Sequence, residues 1–276
     1  MYLDSYESVF GQRTSGVLFN KFITLLHRDV KRRIGADIQL SHCWYRWGDI
    51  VVSQSIPYIQ FDHSDLDRTT VVYRGKEPKI NNNDEVVQFF KEYIDDFLKE
   101  YGENREGVES AIDEVYSDAP YQFQNDYRAL RESLRIGKTN NPYSNSDEYI
   151  LSLLNTAMSS FPEDFSKLED ARMDFEAVFK SSIENMVSTN ELFDLAEEFW
   201  FYFCYYLRIK CNENVDKETI GMWEDMIPLE DSKYRSSIQN YAYELCPDSG
   251  DSRVIALLEQ REKRLEEIEK MLEQME

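Results

Sequence analysis

Glycine is scarce in this chain of 276 residues, at 10, and none of the ten falls into a Gly-x-Gly-x-x-Gly or P-loop arrangement, so nucleotide binding of the familiar kinds has no support. Histidine is scarcer still. His27, His42 and His63 are scattered among Cys43, Cys204, Cys211 and Cys246, only His42 and Cys43 are adjacent, and no Cys-x-x-Cys occurs. A zinc site of closed spacing is therefore not legible, and no metal and no cofactor are expected. The cysteines read as reduced thiols of an intracellular, cytoplasmic protein. A long apolar run is missing as well: the longest uncharged one, Phe199 to Leu207, has nine residues, against the ~20 that a membrane-spanning helix needs. Membrane insertion is thereby excluded, and the chain opens without a charged-then-apolar leader. Internal repeats and low-complexity tracts are absent.

Catalytic motifs are missing too, and the chain reads as non-enzymatic. A nucleophilic pair of Cys43 with His27 or His63 could be assembled only by the fold. Cys204 and Cys211, seven residues apart on one helix face, read as small core residues. Acidic pairs such as Asp95-Asp96, Glu197-Glu198 and Glu266-Glu267 are what 53 carboxylates place side by side, and they read as solvated faces.

What is present begins with charge. The 53 acidic and 31 basic residues leave a formal charge of −22, which repels nucleic acid and anionic membranes at long range. That charge is uneven: residues 1–83 carry 11 lysines and arginines against 9 aspartates and glutamates, a balance of +2, and residues 84–276 carry −24. The break suggests a domain boundary at residue 83. Such acidity suits a halophilic, salt-rich cytoplasm as well as an ordinary acidic cytosolic protein, and lysine is not displaced by arginine (14 against 17).

Periodicity, chemistry and charge all change between Ser15 and Val52. Ser15 is placed to cap a helix in which Val17, Leu18, Phe19, Phe22, Ile23, Leu25, Leu26, Val30 and Ile34 wind onto one face and Gly35 supplies the stop. Lys21, Arg28, Lys31 and Arg32 fall on the other face, although cations in a last turn also answer the helix dipole. Beyond Gly35 the text becomes extended, and an aromatic cluster, Trp44-Tyr45-Arg46-Trp47, is closed by Gly48 ahead of Ile50-Val51-Val52. A tight turn is expected there, with Trp44 and Trp47 buried against Phe22 and Leu26. A further strand is expected over Thr69–Arg74, with Pro57 marking an edge or a turn. Together these elements trace a winged-helix-like α+β outline over residues 1–83.

The helix Leu18-Phe19-Asn20-Lys21-Phe22-Ile23-Thr24-Leu25-Leu26 followed by Tyr45-Arg46-Trp47-Gly48-Asp49-Ile50-Val51 resembles the opening of the SocA-like or Panacea antitoxin family and its relatives. Those proteins are mostly helical and join a helix of Lys-Leu-Leu-Tyr flavour to an aromatic-x-Tyr-Gly-Pro-Val segment. The likeness covers about the first 60 residues, and Asp49 stands where the family has proline. It implies an antitoxin-like module that contacts a partner such as a toxin.

From Asp84 to residue 247 caps, stops and amphipathic faces recur, which predicts a helical bundle. Helices are expected from Asp84 to Gly102, around Ile112, around Leu130 up to Gly137, from Ser146, from Pro162 to Val187, from Asn190, and over Lys217–Met226 and Ser232–Leu245. The one from Asn190 is apolar nearly all round and should be central. Pro247-Asp248-Ser249-Gly250-Asp251 breaks the chain, and Ser252 can cap a terminal helix that makes residues 248–276 a separate C-terminal segment. In heptad register Leu258, Leu265 and Leu272 take a, and Val254, Arg261, Ile268 and Met275 take d. This reads as a short coiled coil or as an amphipathic helix lying on its own bundle. Val254, Leu258, Leu265, Ile268 and Leu272 are the expected oligomerisation residues, and a homodimer is the expected assembly.

The fold class is thus mostly α, with a winged-helix-like α+β unit, a helical bundle and a C-terminal helix. The function read from it is a regulatory or protein-interaction module whose N-terminal unit contacts a partner through Lys21, Arg28, Lys31, Arg32 and Arg46. A protein partner is expected ahead of DNA, because four or five cations release few counterions and the acidic remainder opposes a phosphate backbone. The alternatives are a DNA-binding regulator using the basic face of residues 21–33 and a structural scaffold.

Overall fold

The computed structural model describes residues 1–52, 56, 58–62, 69–75, 85–102, 105–140 and 146–273, with backbone alone for residues 85, 105, 139–140 and 272–273. The protein is mostly helical, with a small β region near the N-terminus followed by a helical bundle. Pro57, His63, Asp84 and Met275 lie outside the described residues.

The chain divides into two compact units, but the cut is not at residue 83. The first unit comprises Met1–Ala119 and Arg208–Ile220, and the second Pro120–Leu207 and Gly221–Glu276. Charge balance misplaced the boundary because packing, which decides it, is blind to the sign of surface groups. In the first unit α1 (Tyr2–Phe10), α2 (Gly16–Ile34) and α3 (Glu85–Tyr101) share one aromatic core, and α4 (Arg105–Tyr116) packs on α2 and α3. Tyr2 stacks on Phe22 at 3.9 Å, and Phe97 of α3 meets Phe22 edge-on at 5.1 Å.

Local chemistry explains α2. Ser15 accepts the backbone N–H of Leu18 at its start, and Gly35 ends it in the left-handed region at φ +68°. Leu18, Phe19, Phe22, Leu25, Leu26 and Val30 are buried along one face. The antiparallel hairpin β1 (His42–Tyr45) and β2 (Gly48–Val51) pairs His42 with Val51 and Tyr45 with Gly48, leaving Arg46 and Trp47 as its tip. Asn20 fastens the hairpin to α2, because its Oδ1 accepts Val51 N–H at 3.0 Å while its Nδ2 donates to Gly16 C=O at 2.7 Å.

A second hairpin, β3 (Ile59–Asp62) and β4 (Thr70–Tyr73), meets the start of α2, where Gly16 N–H donates to Thr69 C=O. β1 takes its other neighbour from far along the chain, β5 (Asn212–Glu213), giving the strand order β2-β1-β5. The extended text read beyond Gly35 and over Thr69–Arg74 therefore does not include β5, since two residues cannot show a period. The strands also fall into two sheets rather than the single wing of the expected outline.

The second unit holds α5 (Gln122–Asn140), α6 (Asp147–Ser159), a 3-10 turn (Glu163–Leu168), α7 (Glu169–Glu184), and most of α8 (Thr189–Lys210) and α9 (Lys217–Leu245), then α10 (Ser252–Glu273). As expected of a central helix, α8 buries Leu195, Ala196, Phe199, Trp200, Phe203 and Cys204. Tyr127 of α5 stacks on Trp200 at 5.6 Å and donates its hydroxyl to Ala196 C=O at 2.9 Å. Two helices were expected over 217–245, yet α9 is continuous through Pro228. Proline removes one internal hydrogen bond, and the flanking turns keep theirs. α5 likewise runs past Gly137 to Asn140.

The first turns of α10 fold back on their own bundle. Val254 and Leu257 are buried, Arg253 donates to Asp174 at 2.9 Å, and the Arg261 guanidinium lies 4.0 Å from the Tyr243 ring centre. Val254 is thus an internal contact rather than an oligomerisation residue, Leu258 is half-buried, and only from about Leu265 does the apolar stripe face outwards. The side chain of Leu272 lies outside the described residues.

Candidate functional site

The five cations expected to form one basic face are not brought together. Lys21 is fully buried, and its ammonium donates to Asp49 C=O at 3.0 Å, so it braces β2 against α2 instead of facing solvent. Arg28 reaches α4, donating to Glu114 C=O at 3.1 Å and Asp118 at 2.8 Å and pairing with the Glu114 carboxylate. Lys31 pairs with Glu213 at 3.2 Å, and Arg32 lies 3.9 Å from Asp118. Arg46 is at the hairpin tip with its guanidinium 5.4 Å from the centre of the Tyr45 ring, whose other approach, at 5.3 Å, is by Arg208. Along α2 the carboxylates of α4 and β5 thus neutralise the cations.

The two tryptophans part company. Trp44 is buried, edge-on to Tyr116 at 5.6 Å, whereas Trp47 is 48% exposed at the hairpin tip. The expected burial of both under α2 fails because a two-residue tip takes Trp47 out of the strand alternation that turns Trp44 inwards.

Between α2, β1 and β5 a pocket of about 190 Å³ collects His27, Lys31, His42, Asp49 and Glu213, with Trp44 in its wall. His27 comes from the buried side of α2, and the rings of His27 and His42 lie 5.2 Å apart. His42 Nδ1 is hydrogen-bonded to Asp49 Oδ1 at 2.8 Å, diagonally across the β1–β2 hairpin. On the opposite side of the ring, Nε2 lies 3.4 Å from Glu213 Oε2 but outside hydrogen-bond geometry. His27 Nδ1 is also buried without a hydrogen-bond partner.

No protein-family model matches this chain, and no curated protein and no solved structure matches it either.

The electrostatics of the pocket follow from these contacts. Burial disfavours a charged His42, but the hydrogen bond and charge of Asp49, with Glu213 beyond, outweigh it and raise its pKa above the usual histidine value. Burial lowers that of His27, and neighbouring His42 lowers it further. Glu213 is pulled below its ordinary value in spite of its desolvation, chiefly by Lys31. Cys43 is a buried thiol pushed up to about 12 by desolvation and then by Asp49, so it stays protonated at neutral pH and is no nucleophile there.

Sequence reading overlooked this cluster. Its members are separated by 15 and 171 residues, Glu213 is one of 53 carboxylates, and no spacing motif links them. The one available signal was the rarity of histidine: two of three histidines meet in one pocket.

Proposed function

We propose that the protein is a non-enzymatic regulatory module that binds a protein partner through the hairpin tip of its first unit. The observation that carries this reading is Trp47, a large indole held half-exposed beside Arg46 and Tyr45 on a hairpin that Asn20 and Lys21 fix to α2. Tryptophan, tyrosine and arginine are the residue types that dominate protein interfaces, and a braced backbone reduces the ordering cost of using them. The internal pairing of Arg28, Lys31 and Arg32 favours a protein over DNA, since paired cations release few counterions from a phosphate backbone. No described helix is long and apolar enough to cross a membrane. An antitoxin-like role for an acidic cytoplasmic protein fits this reading, as does a dimer aided by Leu265 and Ile268, each 41% exposed on α10.

The test pairs capture with stability. Tagged wild-type chain and Trp47→Ala are compared for co-purifying protein, which is identified by mass spectrometry and then titrated in purified form against both. A partner that binds wild type and is lost from an equally stable Trp47→Ala supports the proposal. Equal binding by both, or tight duplex DNA binding that collapses with added salt, rejects it.

A further inference from the structure

We infer that His27, His42 and Glu213 form a binding site for a divalent transition-metal ion, with zinc the ion best suited to two imidazole nitrogens and one carboxylate oxygen. One ligand atom from each residue lies within 4.8 Å of the others. Around tetrahedral zinc, bonds of ~2.0–2.1 Å place ligand atoms about 3.3 Å apart. His42 Nε2 and Glu213 Oε2, 3.4 Å apart and not hydrogen-bonded, already stand at that separation. They are spaced as two ligands of one ion.

Two independent features point the same way. Buried polar nitrogens are nearly always hydrogen-bonded, yet His27 Nδ1 and His42 Nε2 are both buried without such a bond. His27 as a whole is 6% exposed. Two of the three ligands are braced from behind: Asp49 holds Nδ1 of His42 and so aims Nε2, and Lys31 holds Oε1 of Glu213 and so presents Oε2. A carboxylate behind a metal-bound histidine orients the ring and raises its basicity. The adjoining pocket has room for water as a fourth ligand.

Such an ion would join α2, β1 and β5 through residues 27, 42 and 213, and would reinforce the edge of β1 that pairs, among the described residues, with the two-residue β5. The site is independent of the partner at Trp47.

The full chain, stripped with a chelator, is titrated with Zn²⁺ by calorimetry and with Co²⁺ by visible absorption. One ion per chain is expected, with a Co²⁺ spectrum of a four- or five-coordinate nitrogen and oxygen site and no thiolate charge-transfer band. His42→Ala combined with Glu213→Gln should abolish saturable binding, and Asp49→Asn should weaken it by roughly 10–100-fold. Absence of saturable Zn²⁺ binding to wild type overturns the inference, as does a thiolate band that brings Cys43 into the shell. A well-folded Asp49→Asn with unchanged affinity overturns the bracing role. The wild-type measurements decide the site even if a variant fails to fold.

Discussion

Replacing Gly48 by alanine should be among the most damaging single-methyl additions to the first unit. Gly48 sits at φ +88°, where an L residue is strained by about 1–2 kcal/mol. A Cβ there would meet the Tyr116 ring at 2.9 Å and Lys21 Nζ at 3.2 Å. The ammonium is the end of a flexible chain, but Tyr116 is buried and packed edge-on against Trp44, so the contact adds about 1–3 kcal/mol of overpacking. The two effects sum to about 2–5 kcal/mol, or roughly 10 °C in melting temperature at ~2–4 °C per kcal/mol. Gly35→Ala is the control: it has φ +68° and nothing within 4 Å of its Cβ, so only backbone strain applies. Urea denaturation of wild type and both variants, followed by circular dichroism, measures the difference. Equal costs at Gly48 and Gly35, or a Gly48→Ala as stable as wild type, would refute the packing of Tyr116 under the hairpin.

The second unit gives further tests. Arg131 and Glu197 form an ion pair at low exposure, with the guanidinium 5.1 Å from the Trp200 ring centre. Glu197→Leu should cost about 3–5 kcal/mol by stranding the arginine, and adding Arg131→Met should recover most of it in a denaturation cycle. Burial raises the phenols of Tyr127 and Tyr234 well above their ordinary value. The folded state keeps these protons more tightly than the unfolded chain, so their contribution is complete below about pH 10 and declines above it, by about 1.4 kcal/mol per pH unit for each. Phenolate absorbance that titrates fully near pH 10 without loss of structure would contradict that burial. Ending the chain after Arg264 removes only the outward-facing part of α10, so light scattering should show a weakened dimer at unchanged melting temperature. Ending it at Asp251 also removes buried Val254 and Leu257 and should lower stability by about 3 kcal/mol or more.

Local signals were legible where chemistry is local. Ser15, Gly35 and the apolar spacing between them marked α2 to the residue, and the aromatic-rich stretch Phe199–Leu207 of α8 marked the centre of its bundle. Trp47 was misjudged because composition cannot tell a strand residue from a tip residue one turn away. Lys21 was assigned to a basic face by its helical angle, but that angle does not reveal a backbone carbonyl of Asp49 waiting across the sheet. The pocket was illegible for a different reason: it exists only once β5 has paired with β1, and two residues separated from β1 by well over half the chain carry no periodic signature.

That pairing has a consequence for biosynthesis. Residues 1–119 leave the ribosome long before Arg208–Ile220, and at about 5–20 residues per second the intervening ~100 residues take roughly 5–20 s to make. Throughout that interval Trp44 N–H lacks the Cys211 carbonyl it will bond, and one edge of β1 is open to any other strand. A nascent chain halted before residue 208 should therefore be the aggregation-prone species, and an expression fragment covering residues 1–119 alone should need the 208–220 segment grafted back to remain soluble.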